Sequence, residues 1–378
     1  MSQPETFDVA IVGAGIAGAS LAYRLAEQRS VILLERESQP GYHSTGRSAA
    51  MFMESYGPPA VRALTRASRY FFTHLPPDFS ATPVLSERGA LTLAGPGQEN
   101  ALAQHQLLLA ATGSSLERLD ARQTTALVAC LRPECVAGAL LDHAAMDMDV
   151  HSLHQGFLRG LRVAGGILRT GAEVKRAQRR NSMWELQLAH GDPVSARVVV
   201  NAAGAWADEV GTLFGAHRIG LVPHRRSAFT FKAPPGMAVT HWPVVSSLDE
   251  TFYFKPDAGA LLGSPANADP TVPHDVVPEE LDIATGIHHI EAATTLTVIR
   301  PLRTWAGLRS FVPDGEMVIG WDDQCEDFFW LAGQGGYGIQ SAPGASELAA
   351  SLVLGLPLPD ELARHEVDVA ALSVQRLR

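Results

Sequence analysis

Between an apolar run at residues 7–12 and a helix-forming stretch at 18–28 lies Gly13-Ala14-Gly15-Ile16-Ala17-Gly18. A second apolar run, Ser30-Val31-Ile32-Leu33-Leu34-Glu35, follows within the same short span. Strand, glycine turn, helix and strand in that order make a βαβ unit, which demands a parallel sheet covered on both faces. The G-x-G-x-x-G turn constrains the chain further. Gly13 permits the tight turn, Gly15 lets backbone approach a pyrophosphate, and Gly18 lets the helix pack closely on the strand. Ala14 and Ile16 complete the turn, whose N–H groups open a helix and favour an anion. Glu35 closes the second strand, 22 residues after Gly13, where a carboxylate can accept both hydroxyl protons of an adenosine ribose. That carboxylate would repel the 2′-phosphate of NADP, which leaves NAD or FAD.

The rest of the chain is read around this unit. Its 378 residues allow two or three domains. At 46% hydrophobic and 19% charged it has ample core material and is not a disordered chain. A net charge of −10 makes nucleic acid a poor main partner. Only Lys175, Lys232 and Lys255 of the 30 bases are lysine, which reads as compositional bias. Three cysteines, Cys130, Cys135 and Cys325, without repeated spacing argue against a disulfide scaffold or a cysteine-based zinc site, and no metal is expected. The first residues lack the basic start of a signal peptide, no run of about 18 apolar residues occurs, and no lipidation signal is evident. The expectation is a cytoplasmic protein with no stable membrane anchor.

Helices are expected at 58–72, 99–111, 150–164 and 341–354, and β structure at 84–93, 198–202, 227–233, 244–248, 251–255, 260–263, 294–300, 317–320 and 328–332. Strand 198–202 runs into Asn201-Ala202-Ala203-Gly204, and strand 328–332 into Gly335-Gly336-Tyr337-Gly338-Ile339-Gln340. The βαβ unit stands at the start, and a strand, glycine loop and helix at the end. The fold class expected is therefore α/β: a Rossmann-like cofactor-binding domain assembled from 1–80, 145–220 and 305–378. An α+β substrate domain on a mainly antiparallel sheet, 81–144 and 221–304, is inserted into it.

The acidic tip Glu35-Arg36-Glu37 runs into Gln39-Pro40-Gly41-Tyr42-His43-Ser44-Thr45-Gly46-Arg47-Ser48-Ala49-Ala50. Here the sequence resembles the D-amino-acid oxidase family of flavoproteins, and within it the branch of bacterial FAD-dependent D-arginine dehydrogenase. The resemblance continues through blocks at 224–229, 247–250, 252–253, 262–269, 304–311 and 333–340. It implies non-covalent FAD. Arg36, Ser44, Thr45, Gly46, Arg47, Ser48, Ala49, Ala50 and Met51 would lie along its pyrophosphate and ring, Val174 against adenine, and Gly204 and Gly307 nearby. The loop Gly335, Gly336, Tyr337, Gly338, Ile339 and Gln340 would offer N–H groups to negative charge on the reduced ring. No cysteine lies in that loop, and Cys325 reads as a small core residue.

Oxidation of an amino acid at Cα needs a fixed carboxylate, and a guanidinium offers a matching fork. The resemblance implies this work for Arg309 and Arg226. Arg225 adjoins Arg226, and alternation puts only one of them on each face. Tyr253, Tyr56, Gly336, Met51 and Ala90 complete the implied substrate site. No side-chain base is required; orientation and electrostatics suffice. An acid that holds a cationic side chain in the D-arginine branch falls at Ala90 here, and a histidine falls at Met51. On a continuous strand Glu87 would point away from Ala90. Neutral or hydrophobic D-amino acids are therefore expected over D-arginine; the sequence does not reveal the electron acceptor, for which the resemblance suggests a quinone. The alternatives are a secondary-amine or glycine-type oxidase, a 2-hydroxy-acid dehydrogenase, or a non-catalytic or tRNA-modifying flavin module.

Overall fold

A computed structural model describes residues 5–110 and 116–378. The first four residues and Ala111, the last residue of one expected helix, lie outside them. The chain opens as the glycine turn requires: β1 (Glu5–Val12), α1 (Ile16–Leu25) and β2 (Val31–Leu34). The strands pair in parallel, Val9 opposite Val31 and Val12 opposite Leu34. β1 also pairs in parallel with Val194–Asn201, which pairs in parallel with Phe328–Ala332. On the far side Ile167–Arg169 pairs in parallel with β2. Three antiparallel strands, Val174–Arg180, Met183–Leu188 and Val318–Trp321, complete an eight-stranded sheet.

This sheet is buried on both faces, and alternation along β1 shows it. Val9 and Ile11 enter one core with α1, Val150–Val163 and Ala342–Leu354, while Ala10 and Val12 enter another with Trp184, Phe214 and Trp330. Such burial explains why β1 and β2 read as continuous apolar runs. The α/β class with a parallel core drawn from distant segments is what the molecule has.

A second sheet of nine strands runs from Asp269–Pro270 through Val222–Phe231, Ala260–Ser264, Tyr253–Asp257, Val244–Ser247, Ala90–Ala94 and Gly138–Asp142 to Glu117–Asp120. Arg303–Phe311 lies along Val222–Phe231, from Val222 opposite Phe311 to Thr230 opposite Arg303. Among the described residues, only the pairing of Val244–Ser247 with Ala90–Ala94 is parallel in this sheet. The sheet is thus mainly antiparallel, as the strand spacing suggested.

Two expectations fail. The β structure expected at 294–300 is absent; one isolated bridge joins Thr294 to Leu131. Its threonines favour strands locally, but no neighbour is in place to form a ladder. Just before it, Glu280–Ala293 is a helix not anticipated from sequence, seated on Ile283, Gly286 and Ile290. The run at 84–93 is also two strands. Arg88-Gly89 breaks it, Gly89 at φ +78°, and Leu85–Glu87 joins a separate small sheet with Met146–Met148 and Met51–Phe52. Alternation therefore says nothing about Glu87 relative to Ala90. No helix among the described residues is long and apolar enough to cross a membrane.

Candidate active site

A cleft of about 420 Å³ opens at the carboxyl ends of the parallel strands, where open α/β sheets take ligands. Its wall includes Gly13, Gly15, Ile16, Glu35, Arg36, Ser44, Thr45, Arg47, Ser48, Ala49, Val174 and Gly204. Gly307, Gly335, Gly336, Gly338 and Ile339 close it, with Arg226, Tyr253 and Arg309. Strand tips from both sheets thus meet at one cavity.

The first turn is built for a dinucleotide. A Cβ on Gly13 would stand 2.4 Å from the Ala202 carbonyl oxygen, and one on Gly18 would stand 1.9 Å from that of Gly13. A Cβ on Gly15 meets only Thr45 Oγ1, at 3.3 Å, and otherwise faces open space. α1 starts after its N-cap Gly15, which has no side chain to cap it, so the first-turn N–H groups beyond that of Ile16 are left to an anion. The Ile16 N–H donates to Thr45 Oγ1 at 3.0 Å. Glu35 accepts from the Ala14 N–H and the Glu37 N–H, each at 3.0 Å. Burial pushes its carboxyl above the usual range, and these two N–H groups pull the other way. Each oxygen keeps a second lone pair for a ligand hydroxyl. Glu35→Gln is expected to weaken dinucleotide binding by 10- to 100-fold, about 1.5–3 kcal/mol, read by fluorescence titration of the apoprotein.

His154, from the helix Val150–Val163, clamps this turn from behind. Its Nε2 lies 2.9 Å from the Ala14 carbonyl oxygen, where a neutral ring donates. Gly41 is required beside it, because a Cβ there would stand 2.9 Å from His154 Cε1. Burial holds the His154 pKa below its ordinary 6.5. A depressed folded-state pKa means that the unfolded chain binds the extra proton, so stability is complete above about pH 6.5 and is lost as pH falls below it. The melting temperature should drop between pH 7.5 and 5.5, and His154→Gln should drop less. Equal slopes for the two proteins would remove His154 from the argument.

The loop after β2 folds against the second sheet. Ser44 Oγ donates to the Leu308 carbonyl at 2.7 Å. Arg47 donates to the carbonyls of Val276 (2.8 Å) and Ala306 (3.2 Å) and pairs with Asp275. Its guanidinium is thus engaged by the protein, and Arg47 meets the cleft as wall. Gly46 closes a turn through its N–H to the Gly41 carbonyl.

At the meeting of the sheets stand two guanidiniums. Arg225 points away, paired with Asp269, Glu279 and Asp282; two of these acids belong to the unanticipated helix or its first cap. Arg226 therefore faces the cleft, with its Nε donating to the Asn267 carbonyl. Arg309 Nη1 donates to the Tyr56 hydroxyl at 3.2 Å. Neither Arg226 nor Arg309 forms an ion pair with a described acidic residue, in contrast to Arg225. Burial, and then the charge of Arg309, push the Arg226 guanidinium below its ordinary pKa. Two half-buried guanidiniums, neither in an ion pair and only Arg226 within the field of a carboxylate, that of Glu250, make a receptor for an anion. The Gly336 backbone lies directly beneath: a Cβ there would stand 3.0 Å from Arg309 Nη1. Tyr56 packs edge-on against Tyr337, ring centroids 5.0 Å apart. Burial pushes the Tyr337 phenol up to about 12, so it stays neutral.

Several supports escaped the sequence reading. Gln340 was expected at the cofactor. It is buried, and it holds the Tyr56 segment instead, accepting from the Met53 N–H (3.1 Å) and donating to the Tyr56 carbonyl (3.3 Å). Glu316 accepts from the Ala60 and Val61 N–H groups at 2.9 and 3.1 Å, capping a helix whose own Pro58 cannot. Asn267 holds Arg226, and Trp206 joins the cleft wall. Ala14, Gly18, Ala50 and Tyr337 stand behind the lining. Met51 packs on Ala90, Ala145 and Val244. Cys130, Cys135 and Cys325 are free, and none lines the cleft.

The family described as "DAO: FAD dependent oxidoreductase" matches residues 8–352. Glycine oxidase of Bacillus licheniformis is 26% identical over 94% of this chain and 95% of that protein. Mitochondrial dimethylglycine dehydrogenase of Rattus norvegicus is 24% identical over 93% of this chain. The match covers 44% of that protein, so the chain spans less than half the length of that relative. The crystal structure of glycine oxidase from Geobacillus kaustophilus superposes with a TM-score of 0.83 at 23% identity, covering 98% of this chain and 99% of that one. The glycine turn, the uncapped start of α1 and the lone pairs of Glu35 fit FAD as cofactor.

Proposed function

Because the chain belongs to the DAO family of FAD-dependent oxidoreductases, we propose that it oxidises a carboxylate-anchored amine at Cα, with D-amino acids as its substrate class. Bound FAD supplies a two-electron hydride acceptor. The two guanidiniums outside any ion pair, Arg309 and Arg226, carry the reading. They would hold the substrate carboxylate, and Tyr253 and Tyr56 would flank it with hydroxyls. The Gly335-Gly336 backbone would bring N–H groups beneath. Loss of hydride from a neutral amine would leave an iminium cation, which water hydrolyses to a 2-oxo acid and ammonium. No protein base enters, and the high phenol pKa of Tyr337 suits that. The D configuration rests on the resemblance to the D-arginine dehydrogenase branch. The apolar surroundings of Ala90 and Met51 argue for uncharged over cationic side chains.

A glycine- or secondary-amine-type oxidase is the second reading, favoured by the glycine oxidase of Bacillus licheniformis, which matches over nearly its whole length. One experiment separates the two. The holoenzyme is mixed anaerobically with D- and L-amino acids, glycine and N-methylglycine, and bleaching of the flavin is followed. Rapid bleaching by D-leucine or D-methionine and slow bleaching by glycine supports the first reading. The reverse order supports the second. Bleaching by none of them overturns both. Peroxide formation under air then distinguishes oxidase from dehydrogenase.

A further inference from the structure

Arginine supplies 27 of the 30 basic residues of this chain, and lysine three. Lys175 and Lys232 are exposed, whereas Lys255 is 6% exposed. A chain that uses arginine by default thus keeps a lysine at the least exposed of its lysine and arginine positions among the described residues. The position calls for a compact ammonium in place of a planar fork.

Lys255 lies two residues beyond Tyr253 on the same strand and so on the same face of the sheet. Tyr253 lines the cleft. Lys255 Nζ is 2.6 Å from Asp147 Oδ1 and 4.0 Å from Met51 Sδ. Met51 is partly exposed and lies two residues beyond the cleft-lining Ser48-Ala49 segment. Five residues further on, Tyr56 meets Arg309. An anion held at Arg309 would lie beside Tyr56, and a substituent reaching past Tyr253 along its strand would approach Lys255, Met51, Val244 and Ala90, which stand beyond the cleft lining itself.

The charges around Lys255 do not cancel locally. Asp147 is shared, because Arg88 Nε lies 2.6 Å from its other oxygen. One carboxylate thus serves two cations, and an ammonium has three donors. Asp142, on the same sheet, lies three strands away, at about 14 Å by strand spacing. It is engaged by Ser55 Oγ and the Ala144 N–H.

We propose that Lys255 selects the charge of the substrate's far end, so that the site prefers substrates with a second carboxylate and rejects cationic side chains. The proposal rests on the reading that Arg309 anchors a carboxylate; it keeps the exclusion of cationic side chains but departs from a preference for uncharged ones, placing dicarboxylic amines ahead of D-leucine or D-methionine. An acceptor on the substrate would displace the Met51 thioether from the ammonium and take up its remaining donors.

Ligand binding tests this without turnover. The holoenzyme is titrated with pentanoate, glutarate and 5-aminopentanoate, following the visible flavin spectrum. These share a five-carbon chain and one carboxylate, and differ in the far group. Glutarate should bind at least tenfold tighter than pentanoate, and 5-aminopentanoate weakest. Lys255→Met should bring glutarate and pentanoate within about twofold, and Lys255→Arg should keep the order. Equal binding in the unsubstituted protein, or an unchanged glutarate preference in Lys255→Met, overturns the proposal. Should Lys255→Met fail to retain flavin, the order in the unsubstituted protein and in Lys255→Arg decides. If no carboxylate perturbs the flavin, the Arg309 anchor fails first and the selectivity falls with it.

Discussion

Arg309→Ala is expected to lower kcat/KM by about 10³-fold, or about 4 kcal/mol, with flavin still bound. The size follows from what is removed. Arg309 is one of two cations that face the cleft without an ion pair, and a substrate carboxylate would complete the pair. Deleting one partner leaves the other charge desolvated and unmatched, which costs more than the pair is worth intact. Arg309→Lys should fall between, at about 10²-fold, because a point charge replaces a planar fork. It should also leave Tyr56 without its 3.2 Å donor. Arg225→Ala is the control. Arg225 is neutralised by three acids outside the cleft, so its loss should affect stability and leave KM nearly unchanged. The measurement is steady-state kinetics on holoenzyme of matched flavin content. Activity of Arg309→Ala within tenfold of the parent would sink the carboxylate-anchor reading.

That contrast between neighbours marks where sequence reading stops. Period-two alternation places Arg225 and Arg226 on opposite faces and cannot say which face is inward. The decision comes from Glu279 and Asp282, at the start of the helix Glu280–Ala293, which capture Arg225. That helix offered only weak local signals, and the threonine-rich segment after it suggested strand. The glycine turn and Glu35 were legible because their physics is local: a turn that excludes Cβ atoms and a carboxylate at a strand tip. The supports were not legible because they act across the chain. His154 reaches Ala14 over 140 positions, Glu316 reaches Ala60 over 256, and Gln340 reaches Met53 over 287. None carries a local motif. Lys255 did leave a trace, as one of three lysines, but only its burial distinguishes it from the exposed two.

Gly15→Ala and Gly18→Ala should separate the cofactor's requirements from those of the fold. Both glycines adjoin the same turn, yet their surroundings differ. Gly15 has φ −72°, open to any residue, and its added Cβ meets only a hydroxyl that can shift by a few tenths of an ångström. The apoprotein should lose no more than about 1 kcal/mol, the cost of alanine at a helix N-cap. The methyl group nevertheless points into the cleft where a pyrophosphate would approach, and FAD affinity should fall by about 100-fold or more. Gly18 has no such freedom. Its added Cβ would lie 1.9 Å from a backbone oxygen, so α1 must leave β1, at a cost above the usual 1–3 kcal/mol of overpacking. Gly18→Ala should therefore lose both apoprotein stability and flavin. The checks are the melting temperature of each apoprotein and flavin retention at defined free FAD, since ligand stabilisation scales with RT ln(1 + [L]/Kd). A Gly15→Ala protein that holds FAD as tightly as its parent would show that the turn does not face the phosphates.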